Sequence, residues 1–305
     1  MLTYTEIAHN KRESWILIFS FLLIIIALGW VFSLAYDNPG ILVFAVIFSS
    51  FSALVSYYFS DSITLALSRA KPVDRQSNPE LYRLVENLTI AAGLPTPRIY
   101  IIEDTAPNAF ATGRDPAHAV VCVTTGILQK LEKVELEGVI AHELSHIGNY
   151  DIRVMTLVVV LVGTVTLLAD WMLRWSFFGG RRKGGREGGG QIQGVLALIG
   201  LILAILSPII ATLIKLAVSR KREFLADASG ALLTRYPEGL ARALQKISAD
   251  QEPLEAANKA TAHMYIVSPL KGSDGRPKTG WLASLFNTHP PIEERIRRLR
   301  EMNLG

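Results

Sequence analysis

The chain has 305 residues, enough for one large domain or two modest ones, and a formal net charge of only +4. Half of its residues are hydrophobic and its mean hydropathy is +0.30, which argues against an ordinary soluble globule and for membrane segments joined to soluble structure. Basic residues are scattered or flank apolar runs, so nucleic acid is not an expected partner. The single cysteine, Cys122, excludes an intrachain disulfide and reads as a small core residue.

No charged residue occurs from Ser14 to Tyr36 or from Ile41 to Phe59. Each run approaches the ~20 apolar residues that cross a hydrocarbon core as a helix. Asp37-Asn38-Pro39-Gly40 between them predicts a tight turn and an antiparallel hairpin. The first run is too long for a secretory signal and no small-residue cleavage site follows, so a retained anchor is expected. Lys11 and Arg12 precede the hairpin, and Arg69, Lys71 and Arg75 follow it, while the turn carries neither residue type. The positive-inside rule then places both ends in the cytoplasm. Residues 1–72 are expected to form this transmembrane unit with its flanks.

Residues 73–153 read as the first part of a soluble α/β body. Asn78-Pro79-Glu80 supplies an N-cap and a first-turn proline, and Leu81, Leu84, Val85 and Leu88 form a helical stripe ending near Gly93. Arg98–Glu103 and Ala119–Thr124 are short β-rich runs. Another helix is expected from about Val134, with Leu136, Val139 and Ile140 on its buried side. Residues 154–216 hold a second hydrophobic pair. Val154–Ala169 is short and stopped by Asp170; Gln191–Ile214 is longer and interrupted by Ser207-Pro208. Between them lies a basic, glycine-rich loop, Gly179–Arg186. If both runs cross the membrane, this loop falls on the far side, against the positive-inside rule; the alternative is a hairpin packed on protein or on the membrane surface, and the length of the second run favours crossing while the first run is the weak one. Residues 217–305 are polar and helical again, clearest at Gly239–Ile247 and Ile292–Met302, with a Gly/Pro/Ser-rich loop near Lys271–Gly280.

His142-Glu143-Leu144-Ser145-His146 carries the chemistry. Histidines at i and i+4 share one helix face, so both imidazoles reach one metal ion, and Glu143 is placed to act as general base toward an attacking water. A catalytic zinc takes three protein ligands and keeps one position open. Glu223 is the candidate third ligand, and Asp227, one turn on, projects from the same face. Asp227 is expected to accept the second N–H of a ligand histidine and fix its tautomer. His9, His118 and His263 are expected in surface or core roles.

Together, His142–His146, Glu223-Phe224-Leu225-Ala226-Asp227 and the hydrophobic hairpins resemble the HtpX family of membrane zinc proteases, gluzincins related to the CAAX prenyl proteases. The likeness covers most of the chain. It implies a mainly helical α+β fold: a zincin-like metalloprotease domain with a small sheet, attached to two N-terminal transmembrane helices, with two more inserted between the zinc-ligand helices. It also implies one Zn2+ per chain and polypeptide substrates, with a role in quality control of damaged or misfolded membrane proteins. The setting would be a multi-pass bacterial or archaeal inner-membrane protein whose catalytic domain faces the cytoplasm. Pro107–Gly113 resembles the family's substrate strand, so Asn108, Ala109, Phe110 and Ala111 are expected to pair with an extended peptide by β-augmentation. His289-Pro290, with Arg295 six residues on from His289, resembles its C-terminal motif, and either side chain is a candidate to steady the oxyanion. Asp151 matches a family position and is expected to be structural, capping the end of the metal helix.

Two other classes compete. A non-catalytic adaptor with a structural metal would have no use for Glu143 and would usually fill the fourth position with Cys or His. A transporter would need paired ionisable residues within its hydrophobic runs, and Asp170 stands alone at the end of one. His146 lies eight residues before Val154 and Glu223 eight after Lys215, so both ligand helices leave apolar runs about 12 Å from the metal. That proximity predicts a preference for unfolded or membrane-adjacent stretches of membrane proteins.

Overall fold

Two long helices open the computed structural model, which describes residues 2–35, 37–164, 219–257, 260–267, 269 and 289–302. Helices α1 (Leu2–Ala35) and α2 (Pro39–Leu67) are joined at a turn where Asn38 Oδ1 caps α2, accepting the Gly40 N–H at 3.0 Å. Both are long and apolar enough to cross a membrane. They meet through small residues: a Cβ on Gly29 would lie 2.2 Å from the Ala45 Cβ, and Ala45, Ser49, Ala53, Ser56 and Ser60 line the buried face of α2. Phe19, Leu23, Phe44 and Ile47 point outward and are well exposed, as a lipid-facing surface requires.

Four strands, β1 (Lys71–Val73), β2 (Arg98–Ile102), β3 (Ala109–Thr112) and β4 (Val120–Thr124), form one sheet in the order β1-β2-β4-β3. β2 and β4 are parallel, in register Ile99 with Val121, and the outer pairs are antiparallel. The sheet begins four residues after the end of α2, and the Arg98–Asp61 ion pair ties the hairpin to the body.

Alternation splits the sheet between two cores. Ile99, Ala109, Ala111, Val121 and Val123 pack with α3 (Pro79–Ala92), whose Asn78 cap accepts the Leu81 N–H at 3.2 Å, and with α5 (Lys133–Gly148). Ile102, Phe110, Val120 and Cys122 face the opposite way, onto Met155, Val159 and Tyr265. Cys122 is wholly buried, and burial pushes its thiol well above the usual range, so it is core and not a nucleophile. A short α4 (Thr125–Lys130) links β4 to α5.

Beyond α5 the chain bends by 83° into α6, described from Asp151 to Thr164. Val154, Val158, Leu161 and Val162 of α6 pack against Leu17, Phe21 and Ile25 of α1. This first part of the Val154–Ala169 run is therefore covered by protein. The rest of that run, the Gln191–Ile214 run and the loops at 179–186 and 271–280 lie outside the described residues. Helices α7 (Arg220–Thr234), α8 (Pro237–Ala249) and α9 (Ile292–Glu301) complete the body around α5.

Candidate metal centre

Helix α5 starts where the Glu132 N–H donates to Glu135 Oε2 at 2.8 Å, and it ends at Gly148 because Asn149 caps it and Tyr150 turns left-handed, at φ +62. His142, Glu143 and His146 lie on its buried face, each less than 5% exposed. Helix α7 crosses α5 at Gly230, where a Cβ would sit only 2.9 Å from the His142 backbone nitrogen. Glycine alone permits that approach, which delivers Glu223 and Asp227 of α7 to the histidines.

The donor atoms converge. His146 Nε2 lies 3.2 Å from His142 Nε2 and 3.6 Å from Glu223 Oε1, and His142 Nε2 lies 3.9 Å from Glu223 Oε2. Ligand bonds of 2.0–2.2 Å at a tetrahedral ion place donors about 3.4 Å apart, so these three fit a four-coordinate divalent metal. Among the described residues they are the one His/Cys/Asp/Glu group with that convergence. The far nitrogens are also held: His142 Nδ1 lies 3.0 Å from Asp227 Oδ1 and His146 Nδ1 lies 2.8 Å from Asp151 Oδ2. A proton on each Nδ1 leaves both Nε2 lone pairs facing the centre.

The electrostatics follow from burial and partners. Burial raises Glu143 to about 7, outweighing the charge of His146, while the Ala111 amide favours its ionised form. Burial lowers His142. It would lower His146 too, but the hydrogen bond and charge of Asp151 raise that imidazole to about 9. Glu223 and Asp227 stay ionised against burial, Glu223 well below the usual range through His289 and Arg295, and Asp227 at about 2 through Arg295.

The remaining candidates surround this centre. Arg295 is fully buried and grips Asp227 with two hydrogen bonds, Nε to Oδ2 at 2.8 Å and Nη2 to Oδ1 at 2.7 Å. Its Nη1 lies 3.4 Å from Glu223 Oε2. His289 Nδ1 lies 3.2 Å from the same oxygen. On β3, Ala109 and Ala111 turn their backbone groups to the outer edge, because the Thr124 N–H pairs with the Asn108 oxygen on the inner side. That edge is not open at Ala109, as the sequence led us to expect. The Ile266 N–H donates to the Ala109 oxygen at 3.0 Å, the Ile266 oxygen accepts from Arg295 Nη1 at 2.9 Å, and Asn108 Nδ2 donates to the Val267 oxygen at 2.9 Å. Phe110 is in the core against Tyr265. The chain's own 265–267 segment thus lies along the strand in the manner of a bound peptide.

Asp151 differs from its expected role. It does not cap α5; the bend after Tyr150 swings it back under the helix, onto His146. Its other oxygen, Oδ1, accepts from Asn10 Nδ2 at 2.6 Å, a contact across 141 residues that no local pattern signals.

Comparison with known proteins agrees with this geometry. Residues 75–303 match the family described as Peptidase family M48. A "Protease HtpX homolog" of Dictyoglomus thermophilum is 48% identical over 302 residues, covering 98% of this chain and 94% of that protein. One from Tropheryma whipplei is 45% identical over 303 residues, covering 99% of both. Among solved structures, the crystal structure of S. mikatae Ste24p aligns with a TM-score of 0.48 and 19% identity, covering 97% of this chain and 67% of that one. With a buried His/His/Glu donor set, two membrane-length helices and relatives matched almost end to end, this chain is a membrane metalloprotease of the HtpX group and belongs to peptidase family M48.

Proposed function

We propose that the protein is a zinc-dependent endopeptidase acting on unfolded or membrane-adjacent stretches of membrane proteins, from the cytoplasmic face and in quality control. One observation carries the reading: three buried donors, His142, His146 and Glu223, lie within 4.8 Å of one another with Glu143 on the same helix face. The His/His/Glu set suits zinc, which when bound supplies Lewis-acid activation of water and of the scissile carbonyl. Glu143 takes the proton of the attacking water and passes it to the leaving amine, a task suited to a carboxylate raised toward neutrality. Asp151 and Asp227 hold the ligand imidazoles in one tautomer. His289, beside Glu223, is the donor we assign to the oxyanion; Arg295 fixes Asp227 and meets a peptide carbonyl, as it now meets that of Ile266. A substrate pairs with β3 at Ala109 and Ala111 after the 265–267 segment has left. The likeness to HtpX protease homologues supports proteolysis, and the short path from the histidines to α1 supports substrates close to the bilayer.

The test is zinc content of the purified protein with proteolysis of an unfolded protein, with and without chelator. The Glu143→Gln variant is expected to keep its zinc and lose turnover by at least about 100-fold. Proteolysis near the wild-type rate in that variant, or in zinc-free protein, overturns the reading.

A further inference from the structure

One face of the charged first turns of α1, ahead of its apolar run, is packed against the protein body. Asn10 has no exposed area, although it is a polar residue four positions before Ser14, where the uncharged stretch begins. Its side-chain amide stands at the meeting of three elements. Nδ2 donates to the oxygen of Asn149, the cap residue of α5, at 2.9 Å, and to Asp151 Oδ1, at the start of α6, at 2.6 Å. Oδ1 accepts from Arg222 Nη1 at 2.9 Å, and Arg222 is the residue before Glu223 on α7. Weaker ties flank this peg: Arg222 to Glu13 at 3.3 Å, Lys221 to Glu6 at 3.0 Å, and Lys11 over the Tyr150 ring at 4.3 Å.

The consequence is a relay of fixed geometry. A carboxylate can rotate and offer either oxygen, but Asn10 holds Asp151 by Oδ1, so that Oδ2 is left on His146 Nδ1 at 2.8 Å. That contact sets the tautomer and direction of the imidazole whose Nε2 faces the other donors. Through Arg222 the same amide constrains the first turn of α7, which carries Glu223. A buried amide with both faces used is costly to leave half-satisfied, so the peg is specific and not merely tolerated.

We infer that Asn10 is a positioning residue of the metal centre, so that the first membrane helix is a working part of the site and not only its anchor. The inference rests on the metal-ligand reading above. It makes loss of α1 from its seat equivalent to loss of His146 orientation, and it ties activity to the insertion state of the hairpin.

The experiment uses full-length protein in detergent, with zinc affinity measured by competition against a chromophoric chelator and with kcat and KM on an unfolded protein. The isosteric Asn10→Asp keeps the acceptor for Arg222 but sets a carboxylate against Asp151. It is expected to weaken zinc binding about 10- to 100-fold and to lower kcat with KM little changed. The reciprocal swap, Asn10→Asp with Asp151→Asn, restores a donor–acceptor pair and is expected to bind zinc more tightly than either single variant. Ser14→Ala, which removes a 2.8 Å bond to the Asn10 oxygen on the same helix, is expected to change thermal stability alone. Wild-type zinc affinity in Asn10→Asp, or a swap no better than the weaker single variant, refutes the inference. A wild-type protein that holds no zinc refutes the proposed function instead, so the two failures are distinguishable.

Discussion

Gly230→Ala is the sharpest probe of how the centre is assembled. The added methyl would lie 2.9 Å from the His142 nitrogen and 3.2 Å from the Ala141 carbonyl carbon and the His142 Cα, against ordinary contacts from 3.4 Å outward. All three atoms are backbone inside α5, so none can swing aside and the two helices must part by about 0.5 Å. Overpacking of this kind costs about 1–3 kcal/mol, and for a body of this size each kcal/mol lowers Tm by about 2–4 °C. The displacement also acts on the donor set, because α7 carries Glu223 two turns before Gly230 and the 3.6 and 3.9 Å gaps to the histidines already exceed the ideal ligand spacing. Zinc affinity is therefore expected to fall about 10-fold or more, beyond the stability loss. The assay pairs thermal unfolding with chelator competition on detergent-purified protein. Gly163→Ala, on α6, where no described residue lies within 4 Å of the added methyl, serves as the control and should leave both readouts near wild type. A Gly230→Ala protein with wild-type Tm and zinc affinity would show that the α5–α7 contact does not set the ligand geometry.

Ile266→Pro removes the N–H that occupies the Ala109 oxygen, and the extended conformation of Tyr265 (φ −73, ψ 142) accepts a following proline. With one hydrogen bond of about 1 kcal/mol gone, the edge of β3 opens about 5-fold more often, so initial rates at low substrate should rise by that factor; an unchanged or lower rate in a zinc-loaded variant refutes it. Asp227→Asn removes the carboxylate that the fully buried Arg295 grips with two hydrogen bonds, leaving Glu223 as its nearest charge, and is expected to cost about 3 kcal/mol in denaturant unfolding, a loss below about 1 kcal/mol being contrary. His263, on the segment after α8, donates Nε2–H to the Met155 oxygen at 3.1 Å, and burial, with the charge of His289 nearby, lowers it to about 4. The folded state thus binds this proton less readily than the unfolded chain. The contribution is complete above about pH 6.5 and is lost as pH falls toward 4, by about 3 kcal/mol in all. His263→Gln, which keeps a donor for Met155 but does not titrate, should flatten the stability profile between pH 6.5 and 4.5; identical slopes would assign the acid sensitivity elsewhere.

Much of the centre was legible because it is written in helix periodicity. His142 and His146 at i and i+4, and Glu223 and Asp227 at the same spacing, share faces whatever the rest of the chain does. The α1–α2 hairpin was equally legible from two uncharged runs and a four-residue turn, since crossing a bilayer is a matter of length and apolarity. Three features were not. The bend at Tyr150 turns Asp151 from a helix cap into the partner of His146, and a single left-handed residue has no compositional signal. The pairing of Ile266 with Ala109, and the peg at Asn10, join residues more than a hundred positions apart.

What the sequence determined by itself, then, is the inventory and its local phasing: a donor pair, its base, a third carboxylate and membrane-length helices, all properties of residues a turn or two apart. What tertiary structure decided is which carboxylate holds which imidazole, what covers the substrate edge, and that the membrane helix reaches the metal site. Those outcomes depend on how closely α5 and α7 approach at Gly230 and on where α6 leaves after an 83° bend. Side-chain contacts fall off within a few ångströms, so they are set by the relative placement of whole helices, which no spacing along the chain encodes.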